Sequence, residues 1–313
     1  MENKNPKVSI ITPTYNRAHF ITQTLDFIIG QTFTNWECLI IDDGSTDDTK
    51  RKLAPYLEKD SRLKYTQRSS HYKKGPSGCR NQGLDTARGA YIIFFDSDDI
   101  VHPDVLQICA GILENQDLLF CRYDKTPFSG KWKKLDFDRN RDFKSHLVIK
   151  GDIGDMVTNK VPFACCTVMW DKKGIGSFRF NEDLSYAEEW EFYTRILSSG
   201  IHGISINKSL YFNRKHKHSN TADFWNKNPI SIASKIQAAK LVVNTLASKK
   251  LFNSNLEKFF IRMSFSLKSN SLLDTTLYHS NLSAFNKFKY KFGYLIYPIL
   301  RPLFILKGKL QAA

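Results

Sequence analysis

Strand-length runs alternate with stretches of helical period across the first hundred residues, and the runs end in turns of one chemical kind. Lys7–Thr12 reads as a β-strand closed by Pro13, after which Phe20, Ile21, Leu25, Ile28 and Ile29 recur at helical spacing. Trp36–Ile41 is a second strand, closed by Asp42 and Asp43, and Ser45–Asp48 supply N-cap chemistry for a helix to about Tyr56. Leu63–Thr66 reads as a third strand, residues 68–76 as a loop, and Ser77–Arg88 as a helix. The run Gly89–Phe95 then delivers Asp96, Ser97, Asp98 and Asp99. Strands and helices alternating on short links predict an α/β fold, a mostly parallel sheet covered on both faces. In such sheets ligands sit outside the carboxyl ends of the strands. Mg²⁺ takes one or two carboxylates and completes its shell with nucleotide phosphates, so the acidic strand end suits a metal–diphosphate. The competing reading is an acidic turn capping the helix near Pro103.

Composition narrows the class. With 313 residues, 42% apolar and 25% charged, the chain can bury a large core in one long domain or two. The six cysteines form no CxxC pair and sit mostly in apolar runs, which predicts buried reduced thiols. Met1–Pro6 is short and polar rather than a secretory leader, so the expected location is cytoplasmic. The net charge of +15 is uneven: residues 221–313 carry 14 Lys/Arg against Asp223, Glu257 and Asp274, and no acid follows Asp274. That asymmetry points the tail, not the main domain, at an anionic partner.

Beyond residue 120 the pattern loosens. Phe128–Lys150 is polar, aromatic and basic, a loop or a substrate-facing insertion. Pro162–Trp170 returns to strand character, Ala187–Leu197 is helical, and from Ile230 onward the chain reads as helices, the last spanning Phe285–Lys309.

Three strand ends thus meet at one sheet edge: Thr12–Tyr15, Asp42–Asp43 and Asp96–Asp98. Together with their neighbours they resemble the family 2 inverting glycosyltransferases. The matching segments are Val8–Arg17, Gln31–Glu37, Leu39–Asp47, Gly78–Gly83 and Gly89–Asp99, in the family's order. The resemblance implies a GT-A fold, Rossmann-like, in a domain over residues 1–221 (nucleotide half about 1–120, acceptor half about 121–221). It fades between residues 120 and 160 and is nearly absent after 222, so the helical basic C-terminal extension over 222–313 rests on the residue pattern alone.

Carried over residue by residue, the resemblance sets the nucleotide base against Pro13 and Tyr15, with Asp43 accepting from the uracil imide N–H. Asp42 reads as an Asx-turn residue. Arg80 would lie near the diphosphate, the alternative being a solvated helix face, and Asn81 would hold a loop. Asp96 would meet the ribose hydroxyls and Asp98 a Mg²⁺ or Mn²⁺ ion, with Asp99 behind them. Glu188-Glu189-Trp190 stands where the family has Glu-Asp-Trp, which makes Glu189 the expected base and Glu188 the alternative. A helix N-terminus favours carboxylates in any case. The run Tyr211–Ser219 resembles a loop over the diphosphate, with Arg214 as its anchor and His216 on phosphate or metal. For Trp170, Trp190 and Trp225, core packing is preferred over stacking on sugar.

The expected donor is therefore a UDP-sugar, the acceptor a glycan or lipid-linked sugar, and the pathway surface polysaccharide synthesis. Near the C-terminus, Phe292–Leu306 is too short and too interrupted by Arg301 and two prolines to span a bilayer. Flanked by lysines, it suits the surface of an anionic inner leaflet, or else packs as a helix on the catalytic domain or on a twin subunit. Three rivals remain. A nucleic-acid-binding protein would explain the basic tail, but no nucleic-acid module motif is present. A nicotinamide oxidoreductase lacks its GxGxxG after the first strand. A nucleotidyltransferase would release pyrophosphate rather than UDP.

Overall fold

A computed structural model describes residues 5–129, 137–140, 142–215 and 220–310, with backbone alone over 220–222 and 298–310. The strands are β1 (Val8–Thr14), β2 (Trp36–Asp42), β3 (Leu63–Gln67), β4 (Tyr91–Phe94), β5 (Ile100–Val101), β6 (Phe120–Phe128), β7 (Ser145–Val148), β8 (Val168–Asp171) and β9 (Gly203–Arg214). Interleaved with them are α1 (Ile21–Ile29), α2 (Thr49–Lys59), α3 (Pro76–Thr86), α4 (Val105–Asn115), α5 (Ile153–Val157), α6 (Lys172–Ile175) and α7 (Glu188–Ser198). After β9 come α8 (Asn220–Trp225), α9 (Pro229–Ser248), α10 (Ser254–Ser266), α11 (Asn270–His279) and α12 (Ala284–Leu310).

One sheet carries the strands in the order β3-β2-β1-β4-β8-β6-β9-β5, with β7 on β9. β1 to β4 are mutually parallel, β8 runs against β4 and β6, and β6 runs parallel to β9. The mostly parallel sheet is thus present. The chain winds outward from β1 to β3 and then places β4 on the other side of β1, so the order reverses between β1 and β4. That reversal leaves a crevice at their carboxyl ends, where open α/β sheets bind ligands. β2 is buried along its whole length, as a strand covered on both faces must be.

Several expectations need correction. β1 does not stop at Pro13 but runs to Thr14. Ile11 accepts from the Phe95 N–H, the last bond on the β4 side, so the donor that Pro13 lacks faces a place where no partner strand remains. Pro162–Thr167 is not strand: Thr167 Oγ1 and N–H both bond to Ala164, winding Cys165–Thr167 into a tight turn before β8. β6 and β9 had no counterpart among the expected elements. Trp225 is 74% exposed rather than packed, whereas Trp170 is fully buried. All six cysteines are buried and free, as expected.

Residues 1–234 form one compact unit and 235–313 a second, the chain passing between them within α9. In the first, Leu25 and Ile28 of α1, Val8 and Ile10 of β1, Ile93 of β4 and Cys109 of α4 share one core. In the second, Ile261, Leu273 and Leu277 form a smaller one. No helix among the described residues is long and apolar enough to cross a membrane.

α3 approaches β1 closely because Gly83 has no side chain: a Cβ there would come within 2.4 Å of Ile11 Cγ2. Helix propensity alone favours alanine over glycine by about 1 kcal/mol, but overpacking a core costs typically about 1–3 kcal/mol. Gly83→Ala should therefore lower unfolding free energy in a urea titration. A stabilised variant would mean that the helix can move away without loss.

Candidate active site

The crevice between β1 and β4 is spanned by an ion pair: Arg17 Nε, just past β1, lies 3.1 Å from Asp98 Oδ2, just past β4. The acidic turn after β4 is fixed from several sides. The Asp96 N–H donates to the Tyr211 hydroxyl of β9 at 3.1 Å, and Thr24 of α1 donates to the Asp99 carbonyl at 2.8 Å. The Asp99 carboxylate accepts from the Arg214 N–H at 2.7 Å. Burial holds the Asp99 carboxyl well above the usual carboxylate range, and the charges of Asp98 and Asp96 push it the same way. Asp96 is the exposed member of the group, with 39% of its side chain accessible.

Arg214 anchors the end of β9 to this turn. Its guanidinium donates to the Asp98 carbonyl and to Gln23 Oε1, both at 2.9 Å, between the rings of Phe20 and Phe128. His216, two residues on, lies outside the described residues.

α3 starts at the same sheet edge, so its N-terminal N–H groups and dipole face the crevice. Arg80, on its first turns, is not on a solvated face. It is 5% exposed and bridges Asp96 Oδ1 at 3.2 Å and Glu188 Oε1 at 2.9 Å. Asn81 ties down the loop before α7, exchanging bonds with Phe180 and reaching Glu182 Oε1 at 2.7 Å. Buried polar atoms ordinarily find partners. Thr14 Oγ1, Ser77 Oγ and Arg80 Nε, all on β1 and α3, have none among the described residues.

The second acidic pair divides its work. Asp42 Oδ1 accepts from the N–H groups of Gly44 and Ser45, an Asx turn as expected, and Oδ2 accepts from the Tyr65 hydroxyl at 2.7 Å. Asp43 pairs with Arg68 and accepts the Gly75 N–H at 2.9 Å. Tyr15 stands beside them, 41% exposed, with the Lys74 ammonium 4.9 Å from its ring centroid. Pro13 is half-buried at the end of β1.

α7 brings the third pair. Ala187, just before it, takes a left-handed φ of 63°, unusual for a residue other than glycine. Glu188 then turns inward to Arg80, and Glu189 accepts from the Cys165 N–H through Oε2 at 2.6 Å. Burial pushes the Glu189 carboxyl above its ordinary value and the Glu188 charge adds to this; Lys125, Arg80 and the Cys165 N–H pull it back. Glu191 ion-pairs with Arg195 one turn on, a structural contact.

Glu189 lines a cleft of about 560 Å³ with Arg122, Lys125, Asn159, Phe163 and Ser209. Arg122 is taken up by Pro162, Ser205 and Asp124. The Lys125 ammonium has no hydrogen bond or ion pair among the described residues. Sequence reasoning missed Arg17, Lys125 and Tyr211 as residues of this site. Arg17 lay inside a matching segment, but its pairing with Asp98 across 81 positions leaves no local signal.

Residues 9–172 match the family described as Glycosyl transferase family 2, more than half of the chain. The chain belongs to that family. Among similar proteins is an uncharacterized glycosyltransferase of Rickettsia felis, 31% identical over 204 residues that cover 65% of this chain and 32% of that protein. The chain thus spans about a third of that relative's length. WfgD of Escherichia coli, described as a UDP-Glc:alpha-D-GlcNAc-diphosphoundecaprenol beta-1,3-glucosyltransferase, is 38% identical over 113 residues, 36% of this chain and 43% of its own. Among solved structures, S. aureus TarS 1-349 in complex with UDP-GlcNAc superposes with a TM-score of 0.67 at 21% identity, covering 87% of this chain and 79% of that one. At that identity the likeness establishes the GT-A fold.

Glu188 is buried, so removing Arg80 would leave its charge without a partner. Breaking one side of a buried pair costs about 3–5 kcal/mol. Arg80→Met should therefore lower unfolding free energy by roughly 3 kcal/mol, with Arg80→Lys recovering part of it. A loss no larger than that of an average exposed substitution would show that the bridge holds nothing together.

Proposed function

We propose that this family 2 protein transfers a sugar from a UDP-sugar to a glycan or lipid-linked acceptor, with inversion at the anomeric carbon, in surface polysaccharide synthesis. Arg80 carries the reading. One buried guanidinium grips Asp96 at the donor turn and Glu188 at the start of α7, so the two halves of a transfer site meet there. Glu189 opens from that meeting point into the cleft.

On the donor side, Pro13, Tyr15 and Asp43 form the wall for uracil, and Asp96 receives the ribose hydroxyls. Thr14 Oγ1, Ser77 Oγ and Arg80 Nε are donors that a diphosphate or sugar would satisfy. His216 is assigned to phosphate by resemblance alone. Asp98 suits Mg²⁺ or Mn²⁺, since hard cations take carboxylate oxygens. No group of three His, Cys, Asp or Glu among the described residues is arranged as a metal cage. The diphosphate would therefore contribute most of the remaining ligands. When bound, such a cation offsets the negative charge that develops on the departing diphosphate.

On the acceptor side, Glu189 takes the proton of the attacking hydroxyl. Its Oε2 is fixed by Cys165 N–H, which leaves Oε1 to the acceptor. Lys125, beside it with no hydrogen bond or ion pair among the described residues, favours an acceptor carrying negative charge, and the name of the E. coli relative points to a sugar diphosphate on a lipid. Family membership accounts for the acidic sheet edge without a nucleic acid or a nicotinamide.

Screening UDP-sugars for metal-dependent UDP release tests the reading directly. Asp98→Ala should abolish the Mn²⁺-dependent part of UDP affinity in calorimetry. Glu189→Gln should keep UDP-sugar affinity and lose turnover by about 10²–10⁴-fold. Only ionised Glu189 can accept the proton, and its folded-state value is raised. Wild-type kcat should therefore fall on the acid side at a pH above the ~4.3 of an ordinary glutamate. If Glu188→Gln is inactive and Glu189→Gln active, the base is Glu188.

Lys125 makes a separate demand. A charge-assisted hydrogen bond contributes about 1.5–3 kcal/mol, so Lys125→Met should raise KM for a short-chain prenyl-diphosphate sugar about tenfold or more. KM for a neutral glycoside of the same sugar should stay within twofold or so, since no charge is lost there. Equal effects on both acceptors would remove Lys125 from acceptor recognition.

A further inference from the structure

α12 has two unlike faces. Tyr290 and Tyr294 pack against Ile261, Leu273 and Leu277, and the rings of Tyr294 and Tyr297 meet Phe265 edge-on at 5.3 and 5.2 Å. At about 100° per residue these tyrosines project within about 60° of one another. Phe285, Phe288, Phe292 and Leu295 project within about 80° on the opposite side. They are 69%, 63%, 52% and 73% exposed. The rings of Phe288 and Phe292 stack on each other with centroids 6.1 Å apart. Soluble monomers seldom leave large apolar side chains contiguous in water.

The charges around this stripe are of one sign. Lys289 and Lys291 project to its two edges, each about 40° beyond the apolar arc. The Lys289 ammonium lies 5.6 Å from the Phe285 ring centroid. Lys291 pairs with Asp274, an exposed contact of the kind that holds weakly. In the sequence, Lys287, Arg301, Lys307 and Lys309 add four more bases, and no acid follows Asp274.

We propose that α12 lies along an anionic lipid surface, with Phe285, Phe288, Phe292 and Leu295 at the boundary between headgroups and acyl chains and Lys289 and Lys291, at the two edges of the stripe, on lipid phosphates. Aromatic side chains between flanking lysines are the arrangement that such an interface selects. A second copy of the helix is the poorer occupant, because pairing two of these stripes sets lysines against lysines with no acid on the helix to meet them. The inference stands on the geometry of the helix and does not depend on the assignment of the catalytic residues. It adds a location at which a lipid-linked acceptor would be presented.

The test uses the full chain and vesicles of phosphatidylcholine with or without phosphatidylglycerol. Wild-type protein should co-sediment with the anionic vesicles and only weakly with the neutral ones. Phe288→Ser combined with Phe292→Ser should lower partitioning at least tenfold while leaving the thermal midpoint in place, since both side chains are exposed. Lys289→Glu with Lys291→Glu should lower it too, and raised salt should reproduce only that second loss, because the apolar contribution is not screened. Wild-type protein that stays in the supernatant, or serine variants that bind as well as wild type, would overturn the proposal. A dimer in analytical ultracentrifugation that the serine substitutions dissociate, without vesicle binding, would assign the stripe to self-association instead.

Discussion

A guanidinium as buried as that of Arg80 is tolerated only where carboxylates come to meet it. Much of the first unit is arranged around that requirement. Gly83 lets α3 press against β1, which sets Arg80 at the carboxyl edge of the sheet. The end of β4 brings Asp96 to one side of it, and the left-handed Ala187 turns the start of α7 so that Glu188 arrives on the other. The two acids come from opposite halves of the domain, 16 and 108 positions away from Arg80 in sequence. Neither half can therefore complete this pairing alone, and the position of Glu189 is tied to that of the donor turn through one side chain.

The same dependence explains what could be read from the sequence. Parallel strands buried on both faces are near-continuous apolar runs, so β1, β2 and β4 were legible, and so was the edge at which they end. Asp42 was legible as a turn residue because its bonds go to Gly44 and Ser45, within three positions. β6 and β9 were not: Lys125 and Thr126 are exposed, and Asn207 interrupts the apolar run of β9, so neither strand shows a clean period. The turn at Cys165–Thr167 has β-rich composition and takes its shape from Thr167 capping Ala164. For Arg80, placed near the diphosphate by resemblance, the alternative of a solvated helix face stayed open for a related reason. Its helix shows almost no amphipathic pattern, being buried along most of its length by partners distant in sequence.

Adjacent acids in this site differ through their surroundings rather than their type. Asp42 is spent on backbone N–H groups, while Asp43 faces Arg68 and Gly75. Asp99 is buried against Arg214 and Tyr211 with its carboxyl pushed well up, whereas Asp96 stays open to solvent. Glu188 is neutralised by Arg80, and its charge in turn helps raise Glu189. Surroundings rather than residue type thus give neighbouring carboxylates different tasks. Here the division also has a direction. Asp42, Asp99 and Glu188 face into the protein, whereas Asp96 and Glu189, each bonded on one side, to Arg80 and to the Cys165 N–H, lie toward the crevice and the cleft. On the proposed function, a donor and an acceptor meeting between those two would find one carboxylate for ribose hydroxyls and another for a proton, with Arg80 pairing Asp96 on one side and Glu188, the neighbour of Glu189, on the other.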